Sequence, residues 1–308
     1  MASLTRTIEH WKLPSRTLEL GRRTLVMGVV NITPDSFSDG GSFLDPDAAI
    51  RRGLELVEEG ADLLDLGAES TRPRAMAGTL HDAKVSAEEE QARLLPVIEG
   101  ILKARADTVI SVDTYKAATA KAAIGLGAEI VNDVSGFTWD AEMAMVCSDA
   151  RCGVVLMHTR GRPDEWRGQQ KLAQDVLMDS VRNGLRKSLG RAADAGVSAE
   201  SILLDPGYGF GKKFDENYVL LARQQEFLAL GRPLLAGVSR KSFLGHTLSH
   251  LFGGKDAPIS ARETASLAAM VTAILRGASI VRVHDVRPAV EAARIADAVL
   301  AASSSSTL

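Results

Sequence analysis

The chain has 308 residues, about twice the usual domain size, so length admits either two ordinary domains or one barrel of ~250 residues with additions. Hydrophobic residues make up 45% and charged residues 24%, the profile of a folded globular protein and not of a disordered or fibrous chain. With 36 Lys and Arg against 39 Asp and Glu, the formal charge of -3 leaves no electrostatic footprint for nucleic acid or an anionic membrane as a partner, and no run of ~20 apolar residues is present to span a bilayer. The first twenty residues, MASLTRTIEHWKLPSRTLEL, are polar and hold no apolar stretch of the kind that directs secretion, so the cytoplasm is the expected location. Cys147 and Cys152 lack metal-ligand spacing and are expected as reduced, partly buried thiols.

From residue 24 onward the chain repeats one unit: a short β-branched run, a polar residue, a loop and a longer helical pattern. In chain order, the first apolar run ends before Asn31, the second follows Asp62, the third ends before Asp113 and the fourth contains Asn132. The remaining runs end before His158, Asp205, Ser239 and His284. Helical patterns cover 48–59, 88–104, 116–126, 141–148, 172–195, 216–230, 261–276 and 288–300. In the last of these, Ala292, Ile295, Ala296 and Val299 fall at i, i+3, i+4 and i+7, a spacing that predicts one stripe facing the sheet. Continuous apolar strands alternating with helices imply a parallel sheet covered on both faces, and eight such units favour a (β/α)8 TIM barrel over a doubly wound sheet.

The expected organisation is an N-terminal extension over 1–23 that caps the barrel, one barrel domain over 24–302, and a disordered tail over 303–308. Long unpatterned connections over 32–45 and 67–87 follow the first and second strands and read as binding loops. A third insertion, 243–258, follows the seventh strand and is given no role.

Chemistry in a parallel barrel sits where the strands end. Asn31, Asp65, Asp113, Asn132, Asp133, His158, Asp205, Ser239, Lys241, Arg282 and His284 all lie at or within two residues of those ends. A carboxylate hidden there without a partner costs several kcal/mol, so several converging on one rim point to a site. Taken singly, Asp65 and Asp133 admit a second reading as helix caps or loop ties. His158 reads more readily as a satisfied core histidine than as a ligand. Glycines at 207, 209 and 211 let backbone approach a flat or phosphorylated ligand, with Phe210 as a stacking face, in a spacing that is not the dinucleotide fingerprint. The segment from Ser239 to Ser242 carries two cations and two hydroxyls just past a strand, a candidate anion clamp that also reads as a solvated face. Arg282 and His284 alternate on a strand and share one side, fit for phosphate oxygens or for a structural ion pair.

Seven motifs carry a resemblance to a family. They are Asn31-Ile-Thr-Pro-Asp-Ser-Phe-Ser-Asp-Gly-Gly41, Asp65-Leu-Gly-Ala-Glu-Ser-Thr-Arg-Pro73, Ser111-Val-Asp-Thr114, Val131-Asn-Asp-Val134, Asp205 to Gly211, Ser239-Arg-Lys-Ser242 and Arg282-Val-His284. In that order, over 24–300, they resemble the dihydropteroate synthases. The resemblance implies a transferase of folate biosynthesis that joins 6-hydroxymethyl-7,8-dihydropterin pyrophosphate to p-aminobenzoate, with pyrophosphate leaving and sulfonamides competing for the p-aminobenzoate site.

Roles follow from the same resemblance, position by position. Asp113, Asn132, Asp205 and Lys241 would bind the pterin, with Met157 and Phe210 lining its ring. Asn31, Arg282 and His284 would hold pyrophosphate, Asn31 also ligating magnesium through its amide oxygen. Phe37 and Asp39 on the first long loop and Thr71, Arg72 and Pro73 on the second match residues that close over p-aminobenzoate, whose carboxylate Ser242 and the amides opening the next helix would take. Asp113, Lys241, Arg282 and His284 carry the catalytic expectation: leaving-group charge met by magnesium, Arg282 and His284, and a cation-like pterin met by Asp113. The aromatic amine is neutral at pH 7 and needs no strong base. A homodimer is implied by the resemblance only. Two rival readings remain, a pterin-binding methyltransferase serving a corrinoid partner, and a silent paralogue that binds pterin without condensing it.

Overall fold

A computed structural model describes residues 6–32, 45–69 and 85–304. Two short strands, β1 (Glu9–Lys12) and β2 (Thr17–Leu20), pair antiparallel ahead of the barrel. Eight parallel strands then close in chain order: β3 (Leu25–Asn31), β4 (Leu63–Gly67), β5 (Ile110–Asp113), β6 (Ile130–Asp133), β7 (Gly153–Met157), β8 (Ile202–Asp205), β9 (Leu234–Ala236) and β10 (Ala278–Val283), with β10 returning to β3. Around them run α1 (Pro46–Glu58), α2 (Ala87–Ala104), α3 (Ala117–Gly125), α4 (Met143–Ala150), α5 (Gln174–Asp194), α6 (Phe214–Arg223), α7 (Ser242–Thr247), α8 (Glu263–Leu275) and α9 (Val286–Ser304). This is a (β/α)8 barrel, as the repeating unit implies.

Local chemistry starts the helices. Asp45 accepts from the Asp47 N–H, with Pro46 opening α1. Ser86 and Glu89 form a reciprocal capping box at the head of α2. Side chains on the outward face of the strands, such as Val26, Leu64, Leu66, Val112 and Val131, pack under the helices as one large core. A second core lies inside the barrel at its base, where Trp11, Leu13 and Leu20 meet Met27, Leu63, Val109, Ile130, Val155, Leu203, Leu235 and Ile280. Trp11 is 1% exposed, and its indole N–H donates to the Ser201 carbonyl at 2.8 Å.

Several expectations need correction. The stripe of α9 that faces the barrel is Val286, Ala289, Ala293, Ala296 and Leu300, while Ile295 and Val299 are 69% and 50% exposed. Small side chains let α9 lie close to the sheet, so bulk does not mark its buried face. The helix expected over 216–230 changes at Gln224 into a tighter 3-10 turn, Gln224–Leu230. Gln224 is fully buried, accepts from the Tyr208 hydroxyl at 2.6 Å and donates to the Ala273 and Arg276 carbonyls, and this tether redirects the chain. The insertion 243–258, to which the sequence gives no role, is largely occupied by α7 and a 3-10 turn, Leu248–Phe252. At the C-terminus α9 continues to Ser304, into the segment expected as tail. Both cysteines are unpaired and wholly buried, more so than expected.

Candidate active site

Along a strand, residues two apart face the same way. Two residues above the apolar layer at the base, the inward positions become Asp65, Ser111, Asn132, Met157, Asp205, Gly237 and Arg282, and these line the rim where the strands end.

Asp65 organises one side of that rim. It is 0% exposed and accepts from Ser111 Oγ at 2.6 Å, Asn132 Nδ2 at 3.0 Å and Arg282 Nε at 2.5 Å, partners drawn from β5, β6 and β10. Arg282 also donates from Nη2 to Asp113 Oδ2 at 2.8 Å. Against burial, the two carboxylates raise the guanidinium's pKa. Asp113 is pushed up to about 7, chiefly by burial; Arg282 opposes the shift, while Asp65 and Glu90 add to it. With Nδ2 of Asn132 on Asp65, the amide oxygen is the group left to accept from a ligand.

Asp205 ends β8 on the other side. Burial raises its pKa, and the Gly207 N–H, Lys241, Lys212 and Arg282 all work against the rise. Its Oδ1 accepts from Gly207 N at 2.7 Å. The turn that follows holds Gly207, Gly209 and Gly211 at φ of +72°, +85° and +71°, a left-handed run that side chains rarely adopt. Phe210 packs edge-on to Trp166, ring centroids 5.1 Å apart, and Lys241 Nζ sits 4.0 Å above the Phe210 ring. Lys241 follows Arg240, which is itself left-handed at φ +57° and is held by Asp285 through Nε at 3.0 Å and through Nη2. A Cβ added to Gly237 would lie 3.8 Å from Asp205 Oδ2 and 3.9 Å from Arg282 Cβ, ordinary contact distances that place this position between the two halves of the rim.

The remaining expected residues fall as follows. Met157 ends β7, buried and in register with Asp205. His284 lies just past β10, its Nδ1 3.0 Å from Ser239 Oγ. Asn31 ends β3, half-buried and in register with Gly67 of β4. Ser242 opens α7, a helix of only six residues, and is exposed. Phe37, Asp39, Thr71, Arg72 and Pro73 lie outside the described residues. The stem leading to the last three is fixed, with Arg93 donating to the Ala68 carbonyl at 3.2 Å and Lys116 bridging Glu69 and the buried Glu90.

Asp133 ties a loop, accepting from the Ser135 and Phe137 amides at 2.7 and 2.8 Å, and burial pushes it up to about 6. His158 is not the satisfied core histidine expected, because its buried Nδ1 has no hydrogen-bond partner among the described residues. Asp65 is the organiser that residue-by-residue reading undervalued. The signal was present, since Leu63–Asp65, Val109–Ser111 and Ile130–Asn132 share one inward phase.

Chemically, the rim offers acceptors (Asp205, the Asn132 oxygen, Asp113) facing donors (Lys241, Arg282, His284), with Met157 and Phe210 as apolar walls. That suits a flat heterocycle whose edge carries N–H groups and ring acceptors, joined to an anion. Among the described residues no three His, Cys, Asp or Glu converge to hold a metal, and no helix is long and apolar enough to cross a membrane.

Comparison with known proteins narrows the ligand. Residues 27–284 match the family described as pterin binding enzyme. A dihydropteroate synthase of Clostridium beijerinckii is 39% identical over 290 residues, covering 94% of this chain and 99% of its own. The Xanthomonas albilineans dihydropteroate synthase solved with 4-aminobenzoic acid superposes with a TM-score of 0.83 at 39% identity, covering 96% of this chain and 99% of that one. The same organism's enzyme in complex with 7,8-dihydropteroate gives 0.80 at 37% identity, covering 95% and 99%.

Proposed function

The chain belongs to the dihydropteroate synthase family of pterin-binding transferases, and we infer that its rim joins 6-hydroxymethyl-7,8-dihydropterin pyrophosphate to p-aminobenzoate. In that reaction the methylene–oxygen bond of the pterin breaks, pyrophosphate departs with the bonding pair, and the amine lone pair forms the new carbon–nitrogen bond before losing its proton to solvent. The observation that carries the reading is the convergence of Asp65, Asn132, Asp113 and Arg282 opposite Asp205 and Lys241.

Asp205 would accept two N–H bonds from the amino-pyrimidine edge, as a carboxylate does from a guanidinium. Asn132 would accept through its oxygen, and Lys241 would donate to the ring carbonyl or a ring nitrogen. Met157 and Phe210 would hold the ring flat. As the methylene turns cationic, ionised Asp113 would stabilise it, while Arg282 and His284 receive the departing charge. Asp65 and Asp113 use Nε and Nη2 of Arg282, and Nη1 would meet the leaving group. Magnesium fits the donor set, because one amide oxygen, from Asn31, together with pyrophosphate oxygens satisfies an ion that keeps most of its water. When bound it would supply charge neutralisation at the leaving group. Phe37, Asp39, Thr71, Arg72, Pro73 and Ser242 are proposed around p-aminobenzoate.

A homodimer belongs to the same reading. Phe214, Tyr218, Leu251, Phe252 and Ile259 are exposed large apolar side chains on α6 and the segment after α7, a surface a second copy would cover. Two buried, unpaired thiols fit a reducing compartment such as the cytoplasm.

Purified protein with magnesium, the pterin pyrophosphate and labelled p-aminobenzoate should form dihydropteroate in step with pyrophosphate. Binding of both substrates without product would make the chain a silent paralogue. Methyl transfer from a methylated pterin would make it a methyltransferase, a reading the Arg282–His284 pair does not favour.

A further inference from the structure

Lys212 has no part in the roles assigned above, yet it sits directly beneath them. It is 7% exposed, and its Nζ donates to three backbone carbonyls: His158 at 2.8 Å, Pro206 at 2.9 Å and Gly207 at 2.7 Å. Three acceptors match the three N–H bonds of an ammonium, whereas a neutral amine has only two. Burial pulls the pKa of this lysine down and Asp205 works in the opposite direction. The three converging carbonyls favour the charged form against that burial.

The Pro206 and Gly207 carbonyls belong to the turn that presents Asp205 and Phe210, and the His158 carbonyl lies just past β7, the neighbouring strand. The Gly207 N–H is bonded to the Asp205 carboxylate, the Asp205 carbonyl accepts from His158 N at 3.0 Å, and the Gly207 carbonyl also accepts from Phe210 N at 3.2 Å. A Cβ on Gly207 would stand 2.0 Å from the His158 carbonyl oxygen and 3.0 Å from Lys212 Nζ, so the closeness of this packing requires glycine. Left without a cation, three carbonyl oxygens aimed at one buried point repel each other and lack donors, and the turn would relax away from them.

We propose that Lys212 is a positioning residue for pterin recognition: an internal cation, gripped by the carbonyls of His158, Pro206 and Gly207, that sets the turn so that Asp205 and Phe210 face the bound ring. The inference rests on the assignment of Asp205 to the pterin.

Lys212→Met keeps the stem and removes the charge. The expected result is at least a tenfold rise in the Kd and KM for the pterin substrate, with kcat at saturating pterin within threefold of the unaltered protein. A pterin Kd within twofold of the unaltered protein, or a loss carried wholly by kcat, would overturn the proposal. Lys212→Ala provides a second arm that does not depend on the methionine variant folding well. It vacates the space of the side chain beside the three carbonyls, so n-butylammonium or methylammonium chloride should recover pterin affinity at least threefold, and tetramethylammonium, which has no N–H, should not at the same ionic strength. Equal response to all three salts, or to none, also overturns it. The unaltered protein is titrated alongside. If it binds no pterin, the functional reading fails and this inference with it; if it binds and the variants bind equally, only this inference fails.

Discussion

The base and the rim of this barrel are made by the same eight strands and differ by two residues of chain. At the base the inward side chains are Met27, Leu63, Val109, Ile130, Val155, Leu203, Leu235 and Ile280, sealed by Trp11. Two residues on, in the same inward phase, come Val29, Asp65, Ser111, Asn132, Met157, Asp205, Gly237 and Arg282. The base gains by excluding water, a non-directional effect that tolerates many shapes. The rim holds charges that are stable only as a set, each compensating another's desolvation. Substitutions at the base should therefore change stability without changing recognition, and those at the rim should change recognition first.

The largest effect is expected at the base. Trp11→Ala removes the stopper and should cost about 4 kcal/mol of stability in urea denaturation, with the pterin Kd of the folded protein within twofold of the parent. A pterin affinity that falls with stability would show the two ends to be mechanically coupled. Asp65→Asn tests the one rim residue where both properties meet, since an amide oxygen can still accept from Asn132 and Arg282 but the negative charge that compensates the buried guanidinium is gone, and the amide NH2 must turn to Ser111. It should cost about 3 kcal/mol of stability, the usual result of leaving one member of a buried pair uncompensated, and should weaken pterin and pyrophosphate together. If stability drops and neither ligand is affected, Asp65 belongs functionally with the base. Asp205→Asn should do the reverse, weakening pterin by about 2 kcal/mol in calorimetry because one acceptor is lost where the ring edge needs two, with stability nearly unchanged. Unaltered pterin affinity would remove Asp205 from the site.

What the sequence made legible follows the same division. Strand existence and barrel closure were readable because eight apolar runs, each followed by a helical pattern, leave few alternatives. Asp113, Asn132, Asp205, Lys241, Arg282 and His284 were readable as candidates because they end those runs, and the structure gathers them at one rim. Side-chain partnership was not. Asp65 and Arg282 are 217 residues apart, and only barrel closure brings them to 2.5 Å. Lys212 carries no sequence signal of its position, because its acceptors are main-chain carbonyls that no residue identity announces. On α9 the apolar spacing of Ala292, Ile295, Ala296 and Val299 points to a face of which only Ala296 is fully buried, because an alanine-rich helix offers a second apolar phase, Val286, Ala289, Ala293, Ala296 and Leu300, that the sheet covers.

The smallest effect concerns pH and separates the two ends in a single residue. Asp113 has its pKa raised from an ordinary 3.8 to about 7, mainly by burial. A carboxyl with a folded pKa above its unfolded one holds its proton more tightly when folded. Its contribution to stability is therefore fully present below about pH 4 and is lost as pH rises through about 7. Catalysis should run the other way, because only ionised Asp113 can stabilise a cationic methylene, so kcat/KM for the pterin pyrophosphate should climb through about pH 7, reporting the free enzyme. Asp113→Asn removes both slopes. The variant should be more stable than the parent at pH 8 and no more stable near pH 4, while its residual kcat/KM loses the rise that the parent shows. Protonation of the substrate's own pyrophosphate affects both proteins alike, so the difference between their profiles isolates Asp113. A variant least stable relative to the parent at pH 8 would mean that ionised Asp113 holds the rim together through Arg282, and that recognition and stability are not separable at this position.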